Sequence, residues 1–128
     1  MNSDIFDENH VMKNFKQLKI WQKGFDIAIK TFKLTSNFPK EERFGLSSQM
    51  TKSAVSIPSN IAEGSSRRSE KDYSRFIEIS LGSSYELERQ VLIAEAINYG
   101  QKETCKELLN DLEQEQKMLI GFSKILSK

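Results

Sequence analysis

Length, composition and charge narrow the class of protein before any residue is placed. The chain has 128 residues, of which 38% are hydrophobic and 29% charged, with only 6 Gly and 2 Pro. This length suits one domain around one core, and so few turn residues argue against a sandwich or barrel. We therefore predict an all-α protein. Nineteen Lys and Arg against 18 acids leave a net charge of +1, which excludes a strongly cationic nucleic-acid binder.

The single cysteine, Cys105, rules out an intrachain disulfide and is consistent with a reducing cytoplasm. No apolar run approaches the about 20 residues of a spanning helix. Residues 1–17 lack the continuous apolar core of a signal peptide. We expect a cytoplasmic protein without membrane association.

The first helix is predicted from about Phe15 to Asn37, after a polar, irregular segment that we interpret as a flexible tail over residues 1–14. Residues 15–128 then form the bundle domain. Pro39 limits the helix, because the residue before a proline is biased away from helical geometry. Apolar residues at helical spacing predict its core face: Leu18, Trp21, Phe25, Ala28, Ile29 and Phe32.

A second apolar line lies on the same helix. Ile20, Ile27 and Leu34 are spaced seven apart, roughly 120° from the centre of the first line. They either widen the core stripe or form a subunit interface, since seven residues is also the coiled-coil period. We take them as candidates for an oligomer interface.

The second helix is predicted from about Glu42 to Gly64, with an apolar stripe of Leu46, Met50, Ala54, Ile57 and Ile61. Pro58 removes the bond to the Ala54 carbonyl, which predicts a kink there or a separate short segment. Gly64 is placed to end the helix.

The third helix is predicted to start after Ser69 as N-cap and to continue to about Tyr99, where Gly100 stops it. A central run of small residues that includes Gly82 predicts close approach of a neighbouring helix. The fourth helix is predicted from about Lys102 to Leu126, with Glu115 interrupting a heptad-like apolar rhythm. Four such helices with short links give an antiparallel up-down-up-down four-helix bundle.

Chemistry-bearing motifs are scarce. One His and one Cys, His10 and Cys105, cannot build an ordinary zinc site, and no nucleophile elbow or phosphate-binding glycine loop is present. We predict no catalytic residue, no metal and no cofactor; carboxylate chemistry is the one enzymatic alternative. The residues around Pro58 could form a ligand site, but we interpret this set as structural: Pro58, Asn60, Glu63, Gly64, Gly82 and Glu86.

Basic residues form the best functional candidates. One set lies on one side of the first helix, within about a 100° arc: Lys16, Lys19, Lys23, Lys30 and Lys33. The other surrounds the second loop: Arg67, Arg68, Lys71 and Arg75. Both sets suit phosphate contacts, in which charge supplies the affinity; the alternative is a solvated charged surface.

Two stretches resemble the four-helix bundle family of 23S rRNA intervening-sequence proteins: NIAEG at 60–64 and GSSYEL at 82–87, within a similarity that runs from about Phe15 to Leu126. The resemblance implies a four-helix bundle that is often a homopentamer. The related accessory proteins of diversity-generating retroelements form pentameric barrels, bind nucleic acid and associate with a reverse transcriptase.

Two hypotheses for function follow from these observations. The first is a non-enzymatic homo-oligomer, a pentamer by resemblance, that binds RNA or DNA backbone through its basic surfaces. The second is a scaffold or adaptor that binds a protein partner and no nucleic acid. Charge asymmetry along the chain favours the first, and the second apolar line of the first helix favours the second.

Overall fold

The computed structural model of the protein describes residues 14–127. These residues form four α-helices: α1 (Lys19–Thr35), α2 (Leu46–Ser65), α3 (Glu70–Ala96) and α4 (Lys102–Leu126). Short 3-10 turns precede α1 at Phe15–Gln17 and α2 at Lys40–Glu42. Residues 14–127 contain no β-strand, and the all-α prediction is confirmed. Apart from Asn14, which caps the first 3-10 turn, the predicted tail lies outside the described residues.

Each helix packs against two others, in the order α1, α2, α3, α4 and back to α1. Contacts between α2 and α3 fix their relative direction: Gly64 lies against Phe76, while the Ile57 carbonyl accepts a 2.9 Å hydrogen bond from Ser80. Residue numbers fall on one helix as they rise on the other. Lys23 and Lys30 of α1 meet the middle of α4 in the same opposed sense. Neighbouring helices therefore run antiparallel.

The core is closed by large apolar side chains from all four helices. Its largest fully buried members are Ile27, Leu34, Met50, Ile57, Ile61, Ile77, Leu87, Leu108, Leu112 and Leu119. Cys105, predicted to be a core residue, is buried with 1% exposure.

The α1 helix buries a different face from the one that we predicted as its core face. Ile20, Ile27 and Leu34 are 5%, 0% and 1% exposed, so they lie inside the subunit and offer no surface to a second chain. Their assignment to an oligomer interface is therefore wrong. Phe25 and Phe32, predicted to be core, are 48% and 51% exposed.

The small space between α1 and α2 at Gly24 explains this orientation of α1. A Cβ placed on Gly24 would lie 3.0 Å from Cγ2 of Ile57 and 3.4 Å from the backbone nitrogen of Pro58. The face of α1 that meets α2 is therefore narrow at this point. Small and aliphatic residues fit there, whereas the rings of Phe25 and Phe32 do not, because a packed core tolerates little extra volume.

Helix α2 is continuous through Pro58, so no separate short segment forms. Since proline has no N–H, the Ala54 carbonyl receives no helical hydrogen bond from position 58. A bend at Pro58 stays a prediction. Gly64 does not end the helix, which continues to Ser65; it allows α3 to approach instead.

The ends of α3 are set by capping. The Ser69 hydroxyl accepts a 3.1 Å hydrogen bond from the Asp72 N–H, as the predicted N-cap requires. At the other end Asn98 adopts a left-handed φ of 62°, and the Tyr99 N–H donates to the Ala94 carbonyl at 2.8 Å. This is a Schellman stop, so α3 ends before Gly100.

Two glycines give opposite expectations for substitution by alanine. Gly64 is buried, and its added Cβ would lie 2.9 Å from atoms of Tyr73 and Phe76; at exposed Gly82 nothing lies within 4 Å. We expect Gly64→Ala to lower the free energy of unfolding by about 1 to 3 kcal/mol through overpacking. Gly82→Ala should raise it by up to about 1 kcal/mol, from helix propensity. Urea unfolding followed by circular dichroism measures both, and equal effects would contradict these placements.

The orientation of α1 has its own test. Ile27→Glu places a carboxylate at a position with 0% exposure, so we expect loss of cooperative unfolding rather than a folded, dissociated subunit. Ile93→Glu makes the same change at a position with 53% exposure and serves as the matched control. Thermal unfolding at one protein concentration compares them. A cooperative, wild-type-like transition for Ile27→Glu would show that α1 is oriented differently.

Candidate functional site

Two basic segments that are far apart in sequence lie at one end of the bundle. The 3-10 turn at Phe15–Gln17 packs on α2, where Phe15 and Ala62 line the same groove. The end of α2 leads directly into the loop before α3. Lys16, Lys19, Arg68 and Lys71 therefore share this end, which we call the basic end. All four are exposed, and no ion pair within residues 14–127 involves any of them.

Arg67 and Arg75 belong to the same end but are held in place by Phe76. Their guanidinium carbons lie 4.7 and 4.8 Å from the centre of the Phe76 ring. Arg67 also pairs with Glu63, and Arg75 lies 4.0 Å from the Asp72 carboxylate. Cation–π contact orients both groups while the acids offset part of their charge.

The lysines predicted to lie on one side of α1 do not form one continuous basic surface. Lys23 and Lys30 donate to the two carboxylate oxygens of Asp111 at 2.9 and 2.7 Å. Lys30 also reaches Glu107 at 2.8 Å and Asp26 at 3.2 Å. These lysines join α1 to α4 and are poor candidates for binding phosphate. Lys33 stays exposed, but it lies about 21 Å along the helix from Lys19.

The lysine–carboxylate cluster is stable over a wide pH range. Burial alone would raise the pKa of Asp111, but hydrogen bonds from Lys30 and Lys23 outweigh it, so this pKa is lowered. Burial would likewise lower the pKa of Lys30, but hydrogen bonds to Asp111, Glu107 and Asp26 raise it well above its usual range. Both groups therefore stay charged at neutral pH, and the pairing persists.

The outer face of α1 and α2 forms an apolar groove. It has a volume of about 360 Å³, and none of the residues within 14–127 that line it is charged. Trp21 stacks on Phe25 with ring centres 5.1 Å apart, and the rings of Phe15 and Trp21 form an edge-to-face pair with the same distance between centres. We call this the α1–α2 groove, and its walls include Trp21, Phe25, Phe32, Val55, Pro58 and Ala62. Exposure of Phe25, Phe32 and Val55 at 48%, 51% and 43% makes it a contiguous apolar surface.

A buried carboxylate lies on the inner side of the same two helices. Glu115 has 0% exposure, and neither of its oxygens has a hydrogen-bond partner in the described part of the chain. The missing side chain of Gly24 makes room for it, since a Cβ there would lie 3.1 Å from Oε2. Burial raises the pKa of Glu115 to about 8, and the charge of Lys23 lowers it by a smaller amount. Glu115 is therefore mostly protonated at neutral pH.

Only some of the residues interpreted as structural contribute to the packing of α2 on α3. Asn60 donates to the Ser56 carbonyl at 2.8 Å, and the Ser56 and Ser83 hydroxyls bond across the α2–α3 contact at 2.7 Å. The bond between Ser56 and Ser83 joins α2 to α3 close to Pro58, whereas the Asn60 bond lies within α2. Glu63 and Glu86 are exposed, and Glu63 pairs with Arg67. Gly82 is not a point of close approach for a neighbouring helix, because no described atom lies within 4 Å of the position that its Cβ would occupy.

Residues 14–127 hold no group of three or more His, Cys, Asp and Glu side chains positioned to bind a metal ion. Burial raises the pKa of the Cys105 thiol, which makes it a poor nucleophile. Within the same residues, no helix is long and apolar enough to cross a membrane.

Comparison with known proteins identifies the family. Residues 16–121, which contain α1, α2, α3 and most of α4, match the family described as 23S rRNA-intervening sequence protein. The chain belongs to this family. The predicted resemblance is thereby confirmed. Its two most specific stretches are residues 60–64 on α2 and residues 82–87 on α3; Gly64 and Ser83 lie in the contact between these helices, and Gly82 is exposed.

A solved structure supports the same fold. A crystal structure of a protein with unknown function from the S23 ribosomal protein family, from Bacteroides thetaiotaomicron, aligns with a TM-score of 0.73 and 25% sequence identity. The alignment covers 82% of this chain and 98% of that chain. No curated protein matches this chain in sequence.

Sequence reasoning missed the α1–α2 groove and the burial of Glu115. One signal was available for the groove: Gly24 and Thr31 alternate with Ile20, Ile27 and Leu34 along a single helical stripe, and small residues mark the side of closest approach. For Glu115 the signal was its position inside an otherwise apolar stripe of α4.

The buried carboxyl predicts a particular dependence of stability on pH. The folded chain keeps the Glu115 proton up to a pKa of about 8, whereas the unfolded chain releases it near 4.5. The folded state thus binds more protons in this window, so the free energy of unfolding falls as pH rises from about 4.5 to about 8, by on the order of 5 kcal/mol.

Glu115→Gln and Glu115→Leu remove this titration and should flatten the dependence. Both variants should therefore gain stability relative to wild type as pH increases from 5 to 8. Urea unfolding at the two pH values supplies the comparison. A difference between wild type and variants that does not change with pH would mean that Glu115 is ionised in the fold.

Proposed function

We propose that this member of the 23S rRNA-intervening sequence protein family is a non-enzymatic, homo-oligomeric bundle that binds nucleic-acid backbone at its basic end. The observation that carries the proposal is the convergence of Lys16 and Lys19 with Arg68 and Lys71 at one end of the bundle, all exposed. Phosphate binding needs accessible positive charge, and this end supplies it from two separate segments.

Separation of charge makes such binding compatible with a net charge of +1. Lys23 and Lys30 pair with the buried Asp111 on the α1–α4 side, and Lys30 also pairs with Asp26 and Glu107, so these two lysines are separated from the basic end. The remaining cations at the basic end create a local positive potential. Contacts of this kind read charge and spacing rather than base identity, so RNA and DNA backbones are both expected ligands.

Self-association is the second part of the proposal. The α1–α2 groove is an uncharged apolar surface, and surfaces of this kind mark sites of protein contact. A pentamer, as the family resemblance implies, would repeat the basic end five times around one axis. Repetition raises the affinity for a long polyanion without any new contact in the subunit.

Salt dependence tests the basic end. Arg68→Ser with Lys71→Ser should weaken binding to a mixed-sequence single-stranded RNA and reduce the slope of log K against log salt by about 1 for each phosphate that the variant no longer binds. Lys102→Ser with Lys106→Ser removes the same charge from exposed positions at the start of α4 and is the matched control. Fluorescence anisotropy across a salt series gives both slopes, with single-stranded DNA as a second ligand.

Three results would reject the nucleic-acid proposal. These are no binding at low salt, binding that salt does not alter, and equal weakening in the two double variants. Light scattering with and without RNA, at low and moderate salt, adds the particle mass. A stable oligomer whose mass RNA does not change at either salt would favour the second candidate function.

That second candidate is a protein-interaction scaffold or adaptor. The extent of the α1–α2 groove favours it, because the groove runs along α1 from Trp21 to Phe32. If the protein is a scaffold, Val55→Glu would abolish capture of the protein partner, while the charge variants at the basic end would leave it intact.

A further inference from the structure

The turn between α1 and α2 carries the most exposed large apolar side chain among the described residues. Phe44 is 87% exposed, far above Phe25, Phe32 and the other partly exposed apolar residues. The Arg43 guanidinium lies 5.2 Å from the centre of its ring, and the groove on its own chain does not include it. The apolar surface of this ring is left in contact with water in the isolated subunit.

The turn that presents Phe44 is held rigidly. Glu42 accepts a 3.1 Å hydrogen bond from the Leu46 N–H through Oε1, and a 3.2 Å bond from the Tyr99 hydroxyl through Oε2. A 3-10 turn at Lys40–Glu42 precedes it, and α2 follows directly. The backbone that carries Phe44 is therefore held in position before any partner binds, which reduces the entropy lost on association.

The α1–α2 groove has the chemistry and the size to receive such a ring. Among the described residues its lining holds no charged side chain, and Trp21 and Phe25 offer aromatic walls. Its volume of about 360 Å³ exceeds the about 150 Å³ of apolar cavities that bind benzene in other proteins. The groove extends to Phe15 and Ala62, at the opposite end of α1 from Phe44.

We propose that Phe44 of one copy inserts into the α1–α2 groove of a neighbouring copy. The inference rests on the self-association proposed above and assigns its contact surfaces. Because the projecting ring and the groove are different surfaces of one chain, the contact is heterologous. Contacts of this type close into rings when the rotation between copies permits.

Complementation between two defective variants tests the contact. Phe44→Ser removes the projecting ring but keeps the groove, and Val55→Glu places a charge in the groove but keeps Phe44. Both positions are exposed, at 87% and 43%, so the subunit fold should persist. Each variant alone should be a monomer by light scattering. An equimolar mixture should form a 1:1 dimer, since one intact contact joins the two and the remaining surfaces are defective.

Ile125→Ser is the matched control for removal of an exposed apolar side chain. Ile125 is 61% exposed in the last turn of α4 and is absent from the groove lining, so this variant should keep the wild-type mass. Circular dichroism verifies the helix content of each protein. Recovery of the dimer in the mixture is an independent check on folding, because only folded partners can form it.

The outcomes separate this inference from the proposal beneath it. A monomeric wild-type protein would overturn the self-association and the inference together. An oligomeric wild type with an unchanged mass for Phe44→Ser would overturn the inference alone. A mixture that stays monomeric, or an Ile125→Ser variant that dissociates like Phe44→Ser, would also overturn it.

Discussion

The close approach of α1 to α2 at Gly24 is the constraint on which the arrangement of this bundle depends. There is no room for a methyl group at this position without pressing on Ile57 and on Glu115. Packed interiors resist added volume, so the narrow face of α1 must point inward. Ile20, Ile27 and Leu34 then fill the core, and the aromatic side chains of the same helix are left on the outside.

Two further features follow from that orientation. With the aliphatic stripe inward, the lysine side of α1 turns toward α4, where Asp111 binds Lys23 and Lys30. The space left by Gly24 accommodates the Glu115 carboxyl, which is buried with no hydrogen-bond partner among residues 14–127 and so retains its proton at neutral pH. An unpaired buried charge would be costly, whereas a neutral carboxyl is tolerated. Core, charge cluster and buried acid are thus consequences of one helix contact.

The orientation also divides the surface by chemistry. An apolar groove lies between α1 and α2, while Lys16, Lys19, Arg68 and Lys71 lie together where the first 3-10 turn meets the loop before α3. Hydrogen bonds to Asp111 hold Lys23 and Lys30 in the contact between α1 and α4. A chain of nearly neutral net charge can therefore present a basic end and an uncharged groove as separate surfaces. On separate surfaces, the proposed self-association and the proposed polyanion binding would not compete.

The amino-acid sequence by itself determined the helical class, the number of helices, the Ser69 cap and the family, because periodicity, capping and short motifs are local properties. It also placed the basic residues in two segments. Only the tertiary structure decided which of two apolar lines on α1 is buried, since both have helical spacing and the choice depends on the space beside Gly24. The same holds for Lys23 and Lys30. The sequence specifies their charge, but their accessibility depends on Asp111, more than 80 residues away along the chain.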